Sequence, residues 1–193
     1  MQIDNSDIEA KVLLRRSAMG LLARPVRVLD LFAGAGAMFR EIWKEADDYL
    51  GIDKRFSRLR EDGLCWHGDN LKLLLHAMKE AKWNVFDLDA YNNPWILARK
   101  LLPLIRCNTF IMTLTCGIGR GLKNGKTNGH IRKVSGTNGL SDTRLLYRWY
   151  DDIVRWIITD FLTVRSFQVD VLRRIRPLKK NDVCYWLLKG RFE

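Results

Sequence analysis

From Arg27 to Thr115 the chain repeats one pattern, a short apolar run followed by a longer stretch whose apolar positions recur at helical spacing. The runs predict strands at Val28–Phe32, Tyr49–Asp53, Leu64–His67, Trp83–Leu88 and Thr109–Thr115, the last rich in β-branched residues. Between them the spacing predicts helices at Ala37–Ala46, Leu71–Ala81 and Pro94–Ile105, and a short basic segment at Lys54–Arg60. A proline suits the first turn of the third helix. Continuous alternation of strand and helix implies an α/β fold, a mostly parallel sheet with helices on both faces. Ahead of it, Asp7–Ala23 reads as a basic helix with Ile8, Val12, Leu13 and Leu14 as its apolar cluster and Pro25 as its stop.

The pattern breaks in the second half. Gly117–Gly139 holds seven glycines, scattered bases and almost no apolar residues. A loop of this length in a compact domain is a lid, a binding loop or a disordered segment. A helix is then expected at Asp142–Leu162, with Leu145, Trp149, Ile153, Trp156 and Ile157 on one face. Phe167–Ile175 and Val183–Lys189, joined by a polar turn, read as a closing hairpin. No repeat or linker marks a second domain. Residues 1–193 are therefore expected to be one domain, with 1–26 a basic helical extension and 117–140 a basic glycine-rich loop.

Composition narrows the class. A chain of 193 residues with 47% hydrophobic content can bury a sizeable core without disulfides or metals. No apolar run approaches the roughly 18 residues of a membrane span, and no signal-peptide core is visible, so a cytoplasmic protein without membrane contact is expected. Cys65, Cys107, Cys116 and Cys184 are scattered, and His67, His76 and His130 add no ligand spacing, so no metal is expected. Formal charge is +11, and between Ala90 and Ser141 there are eight bases and no acid. A one-sign stretch of this length points to a polyanion, with nucleic acid the foremost candidate. Arg120, Lys123, Lys126, Arg132 and Lys133 in the loop, with Arg15 and Arg16 on the first helix, are the candidate contacts.

The candidate chemistry lies at the strand ends. The first apolar run ends in Leu29-Asp30-Leu31-Phe32-Ala33-Gly34-Ala35-Gly36, and later runs end in or beside Asp53, Asp69, Asp87 and Asp89. A dinucleotide fingerprint needs a third glycine three places on, where this chain has Phe39. The stretch instead resembles the first motif of class I S-adenosylmethionine-dependent methyltransferases. That resemblance covers roughly 27–117 and 141–190 and implies a Rossmann-like sheet with an antiparallel last strand. It also implies S-adenosylmethionine as cofactor, its methionine portion cradled by the glycine turn of Gly34 and Gly36, with Asp30 and Phe32 also counted as cofactor-binding. Asp53, with Lys54 beside it, would take the ribose hydroxyls, and Gly68-Asp69-Asn70 the adenine edge; Asp87 is counted with the cofactor residues. Each acid has a structural alternative, since Asp30, Asp53 and Asp69 each precede a segment they could cap.

Asp87-Leu88-Asp89-Ala90-Tyr91-Asn92-Asn93-Pro94 stands where that family places its catalytic loop. It resembles the Asp-x-Asp-Pro-Tyr/Phe-Gly-x-Pro motif of the tRNA (guanine26-N2) methyltransferases, with Ala90 and Asn92 in place of proline and glycine. The resemblance implies catalytic roles for Asp89, Tyr91, Asn92 and Pro94 and methylation of an exocyclic amine, first of all guanosine N2 in tRNA. An exocyclic amine is a poor nucleophile because its lone pair is delocalised into the ring. A carboxylate accepting its N–H bond and then its proton frees that pair, and Asp89 is the candidate. Tyr91 or Trp95 would stack on the extruded base, and Trp66 is a further candidate. A rival alignment takes Asn92-Asn93-Pro94-Trp95 as a degenerate amine-methyltransferase motif, which implies DNA adenine-N6 or cytosine-N4 as target. The remaining alternatives are a non-catalytic module binding nucleic acid or protein, and a methyltransferase acting on a protein or small molecule, for which the basic stretch would be incidental. Trp43, Trp83, Trp149 and Trp156 are expected in the core, and the oligomeric state is not legible.

Overall fold

The computed structural model describes residues 7–54, 64–80, 82–90, 93–117, 149–156, 158, 167–175 and 183–192. Among these residues seven strands form one sheet: β1 (Arg27–Asp30), β2 (Asp48–Asp53), β3 (Leu64–His67), β4 (Val85–Leu88), β5 (Thr109–Cys116), β6 (Phe167–Ile175) and β7 (Cys184–Phe192). Their order is β3-β2-β1-β4-β5-β7-β6. Strands β1 to β5 pair in parallel, and β7 runs antiparallel between β5 and β6. The Rossmann-like sheet and its antiparallel last strand are as expected. The order reverses at the β1–β4 pair, with β2 and β3 on one side and β5 on the other. In open α/β sheets such a switch point, at the carboxyl ends of the strands, is where ligands bind.

Helices α1 (Ile8–Met19), α2 (Ala37–Glu41), α3 (Asn70–Ala77), α4 (Trp95–Leu101) and α5 (Tyr150–Trp156) accompany the sheet. Side chains alternate across the pleat, so each central strand feeds two cores. Val28, Val85 and Ile111 pack with Leu14, Phe39 and Trp43 on the α1–α2 face. Leu29, Leu31, Phe86 and Met112 pack with Leu74, Trp95 and Leu101 on the α3–α4 face. The strands are apolar on both faces because both are covered.

Several helices are shorter than the spacing predicts. Among the described residues each of three crossover helices is followed by a 3-10 turn: Trp43–Glu45, Met78–Glu80 and Leu102–Leu104. In the last, Pro103 has no N–H to continue the α-helical ladder, and the chain tightens. The expected apolar face of the Asp142–Leu162 helix needs correction within the described part. Val154 and Ile158 enter the core, whereas Trp149 and Trp156 are 60% and 44% exposed. Trp43 and Trp83 are core residues, as expected.

Candidate active site

After β1 the backbone continues its pairing with β4 for one more bond, Leu31 N to the Asp87 carbonyl at 2.9 Å, and then turns. Gly34 and Gly36 hold the turn with φ of +51° and +81°, left-handed conformations that favour glycine. Asp53, half-buried at the end of β2, accepts the Gly34 N–H through Oδ2 at 2.9 Å, tying the second strand to the turn. Gly51 matters by proximity. A Cβ there would lie 2.8 Å from Ala33 Cβ and 2.9 Å from the Tyr49 hydroxyl. Its absence lets Tyr49 reach across the strand and donate to Asp30 Oδ2 at 3.1 Å. Asp30 Oδ1 accepts from Phe32 N at 3.0 Å. Asp30 is buried, and that burial, followed by the nearby Asp87 charge, holds its carboxyl well above the usual range. It braces the turn from beneath. Phe32 is half-buried, and Lys54 is exposed, its carbonyl 2.9 Å from the His67 ring.

At the end of β3, Asp69 caps α3: its Oδ1 accepts from Leu71 N at 3.0 Å and Lys72 N at 3.3 Å. The capping alternative is therefore what this side chain does. Asn70 donates through Nδ2 to the Leu31 carbonyl, which places it beside the glycine turn. Its Oδ1 is buried and has no hydrogen-bond partner among the described residues. An orphaned buried acceptor costs about 1–3 kcal/mol unless a ligand supplies the donor.

The largest departure from expectation lies under α1. Apolar Ile8 and Leu13 face solvent, while Lys11 and Arg15 are buried with Ala10, Leu14 and Ala18. Arg15 grips Asp87 bidentately, Nε to Oδ2 and Nη2 to Oδ1, both at 2.6 Å. Both side chains are 0% exposed. Trp43 Nε1 donates to Asp87 Oδ2 at 2.8 Å and Thr113 Oγ1 to Oδ1 at 3.0 Å. Asp87 is thus saturated from within and is corrected from cofactor residue to structural anchor. Arg15 is likewise corrected from nucleic-acid contact to buried ion-pair partner. Arg16, next to it, is exposed as expected of a surface base.

Asp89 follows two residues on, its side chain 15% exposed. Lys11 Nζ lies 2.7 Å from its Oδ2, and Arg15 Nη2 lies 3.7 Å from the same oxygen. Burial alone raises this carboxyl, and the charges of Arg15 and Lys11 more than reverse that, leaving it below the ordinary value. A carboxylate so held is charged, a good hydrogen-bond acceptor and a weaker base than an ordinary aspartate. Sequence reasoning missed Lys11. Its signal was available: acids two apart on a strand covered on both faces require buried cations, and bases four apart on a helix can supply them.

Beyond Asp89 the chain starts α4. Asn93 Oδ1 accepts from Trp95 N at 3.0 Å, and Pro94 is buried at the helix start. Trp95 is fully buried edge-to-face against Trp186, ring centroids 6.4 Å apart, so it is a core residue and not a base-stacking platform. Trp66 is half-buried against the His76 ring at 5.2 Å. Tyr91, Asn92, Arg120, Lys123, Lys126, Arg132 and Lys133 lie outside the described residues. Among the described residues no helix is long and apolar enough to cross a membrane.

No protein-family model matches the sequence, and comparison with curated proteins gives no match. Solved structures do match. An rRNA methylase from Streptococcus thermophilus aligns over 100% of both chains at 11% identity, with a TM-score of 0.54. The plantazolicin methyltransferase BpumL, in complex with a monoazolic desmethylPZN analog and SAH, aligns over 96% of this chain and 83% of its own, at 15% identity and TM-score 0.55. A SAM-dependent methyltransferase from Archaeoglobus fulgidus aligns over 95% of both, at 11% identity and TM-score 0.52. Strand order and these neighbours agree on the architecture: the chain has the Rossmann-like fold of the S-adenosylmethionine-dependent methyltransferases.

Proposed function

We propose that this protein is an S-adenosylmethionine-dependent methyltransferase acting on an exocyclic amine of nucleic acid, with RNA, and guanosine N2 of tRNA, as first choice. The observation that carries the reading is the left-handed glycine turn clamped by Asp53 at the switch point, with the orphaned Asn70 oxygen beside it. These residues suit the cofactor. The turn offers backbone without side-chain obstruction, Asp53 offers carboxylate oxygens to vicinal hydroxyls, and Asn70 Oδ1 needs the kind of N–H that an adenine amino group carries. Of the two residues expected at the adenine edge, Asp69 caps α3 through Oδ1, and Asn70 carries the unpaired oxygen that suits an adenine amino group. When bound, the cofactor supplies an electrophilic methyl group on a sulfonium. Asp89 accepts a hydrogen bond from the amine and orients its lone pair, and the proton displaced on alkylation leaves to solvent.

The charge of +11 and the acid-free run from Ala90 to Ser141 support a polyanionic substrate, and one structural neighbour is named as an rRNA methylase. The Lys11–Asp89 ion pair favours one second reading, a methyltransferase-like module that binds nucleic acid without catalysis, in which Asp89 only anchors α1. Tritiated-methyl transfer to tRNA, ribosomal RNA and DNA in parallel, with nucleoside analysis, separates the two. Label in N2-methylguanosine is expected, lost in Asp89→Ala while cofactor binding persists. Label in N6-methyladenine or N4-methylcytosine of DNA reassigns the substrate, and absence of label in all three favours the binding module.

A further inference from the structure

The reading of Asp89 as an acceptor raises the question of what aims it. Two of the three cations of α1 approach the same oxygen, Oδ2, Lys11 at 2.7 Å and Arg15 at 3.7 Å. Arg15 is committed to Asp87 through two bonds of 2.6 Å and also donates to the Lys11 carbonyl at 3.2 Å. Lys11 is therefore the group that holds Asp89 directly. Its own position is fixed from both sides along the helix. One turn ahead, Asp7 N donates to the Tyr185 hydroxyl at 3.0 Å and Asp7 Oδ1 accepts from Ala10 N at 3.1 Å. One turn behind, Arg15 is locked to β4. A lysine on a pinned helix, its side chain 5% exposed, is a preorganised charge and not a wandering surface base.

We propose that Lys11 is a positioning residue of the active site: its ammonium anchors Oδ2 of Asp89 and leaves Oδ1 as the oxygen presented to the N–H of the substrate amine. The inference rests on the methyltransferase reading for the substrate and on the ion-pair geometry alone for the anchoring. The chemistry is consistent with it. A carboxylate fixed through one oxygen loses rotational freedom about its last torsion, so the other oxygen meets the amine in one geometry. Among the described residues the groups acting on this carboxylate are Lys11 and Arg15 from α1, Asp30 from β1, Tyr185 from β7 and the Thr115 hydroxyl from β5, with Asp87 sharing the Arg15 charge. The two cations keep it charged against the two neighbouring acids. Removing Lys11 leaves Asp89 with Arg15 as its one cation among the described residues, and that cation is already shared with Asp87.

The test uses the full chain with Lys11→Met, which keeps length and helix propensity, and Lys11→Arg, which keeps charge. Carboxyl NMR of aspartate-labelled protein reads the Asp89 titration without any activity. In Lys11→Met its midpoint is expected to rise by about one pH unit or more, and in Lys11→Arg to return toward the wild-type value. In the methyl-transfer assay the acid limb of the kcat/KM profile moves up with it, kcat falls at least about tenfold and KM for the cofactor stays constant. An unmoved Asp89 midpoint in folded Lys11→Met, or a moved midpoint with kcat and its acid limb unchanged, overturns the proposal. If the wild type transfers no methyl group at all, the methyltransferase reading fails, and with it the role toward the amine. The NMR result then decides the anchoring separately. Should Lys11→Met fail to fold, Lys11→Gln, which keeps a donor without the charge, takes its place: a raised Asp89 midpoint with lowered kcat is expected, and an unmoved midpoint or wild-type kcat refutes the positioning role.

Discussion

Replacing Arg15 by Met removes a fully buried guanidinium from the centre of the α1 interface and leaves the Asp87 carboxylate, also 0% exposed, without its counter-charge. Four hydrogen bonds hold that carboxylate, two from Arg15 and one each from Trp43 and Thr113. The variant keeps two. Stripping one partner from a buried ion pair costs about 3–5 kcal/mol, mostly the penalty of the charge left behind. The surviving donors place the expectation near the lower figure, about 3 kcal/mol. For a chain of this size that corresponds to a fall in Tm of roughly 6–12 °C. Urea titration of Arg15→Met, Asp87→Asn and the double variant closes a mutant cycle. The double variant should cost less than the two single losses added, with a coupling of at least about 2 kcal/mol, because neither charge is then stranded. A single-variant loss under about 1 kcal/mol, or additive losses, would refute the claim that this pair organises the α1 face.

Asp53→Ala should weaken S-adenosylmethionine binding at least about tenfold by calorimetry, since a charged acceptor typically contributes 1.5–3 kcal/mol per pair of states lost; equal affinity would remove Asp53 from the cofactor site. Burial pushes the Cys107 thiol up to about 11. Because the thiolate is the reactive form and about 0.1% is present at pH 8, Cys107 should alkylate roughly a hundredfold more slowly than an ordinary thiol. Its rate should still climb with pH toward that value, and mass spectrometry of iodoacetamide-treated protein that finds it labelled first would contradict its burial.

Much of the architecture follows from local pattern. Apolar runs bounded by turn residues placed β1 to β5 in order, and Gly34 and Gly36 marked the turn where backbone must go left-handed. Both signals are carried by neighbouring residues, and single-residue periodicity suffices to read them. The fate of the acids was legible only as a set of alternatives. Asp69 is a cap because the α3 N–H groups reach it, whereas Asp53 meets the glycine turn because β2 lies beside β1 in the sheet. The first is decided within three residues and the second by strand order.

What the sequence by itself determined is the alternation of elements, the glycine turn and the candidate carboxylates. What only the tertiary structure decided is which charges cancel. Lys11 and Arg15 look like a basic surface in the chain, and Trp149 and Trp156 look like core. Folding inverts both assignments, burying the bases and exposing the tryptophans. The reason is that Arg15 meets Asp87 across 72 residues and Lys11 meets Asp89 across 78. The desolvation of each charge is offset only by a partner brought there by the sheet. Helical periodicity scores residues one at a time by their affinity for water, whereas an ion pair is buried or exposed as a unit.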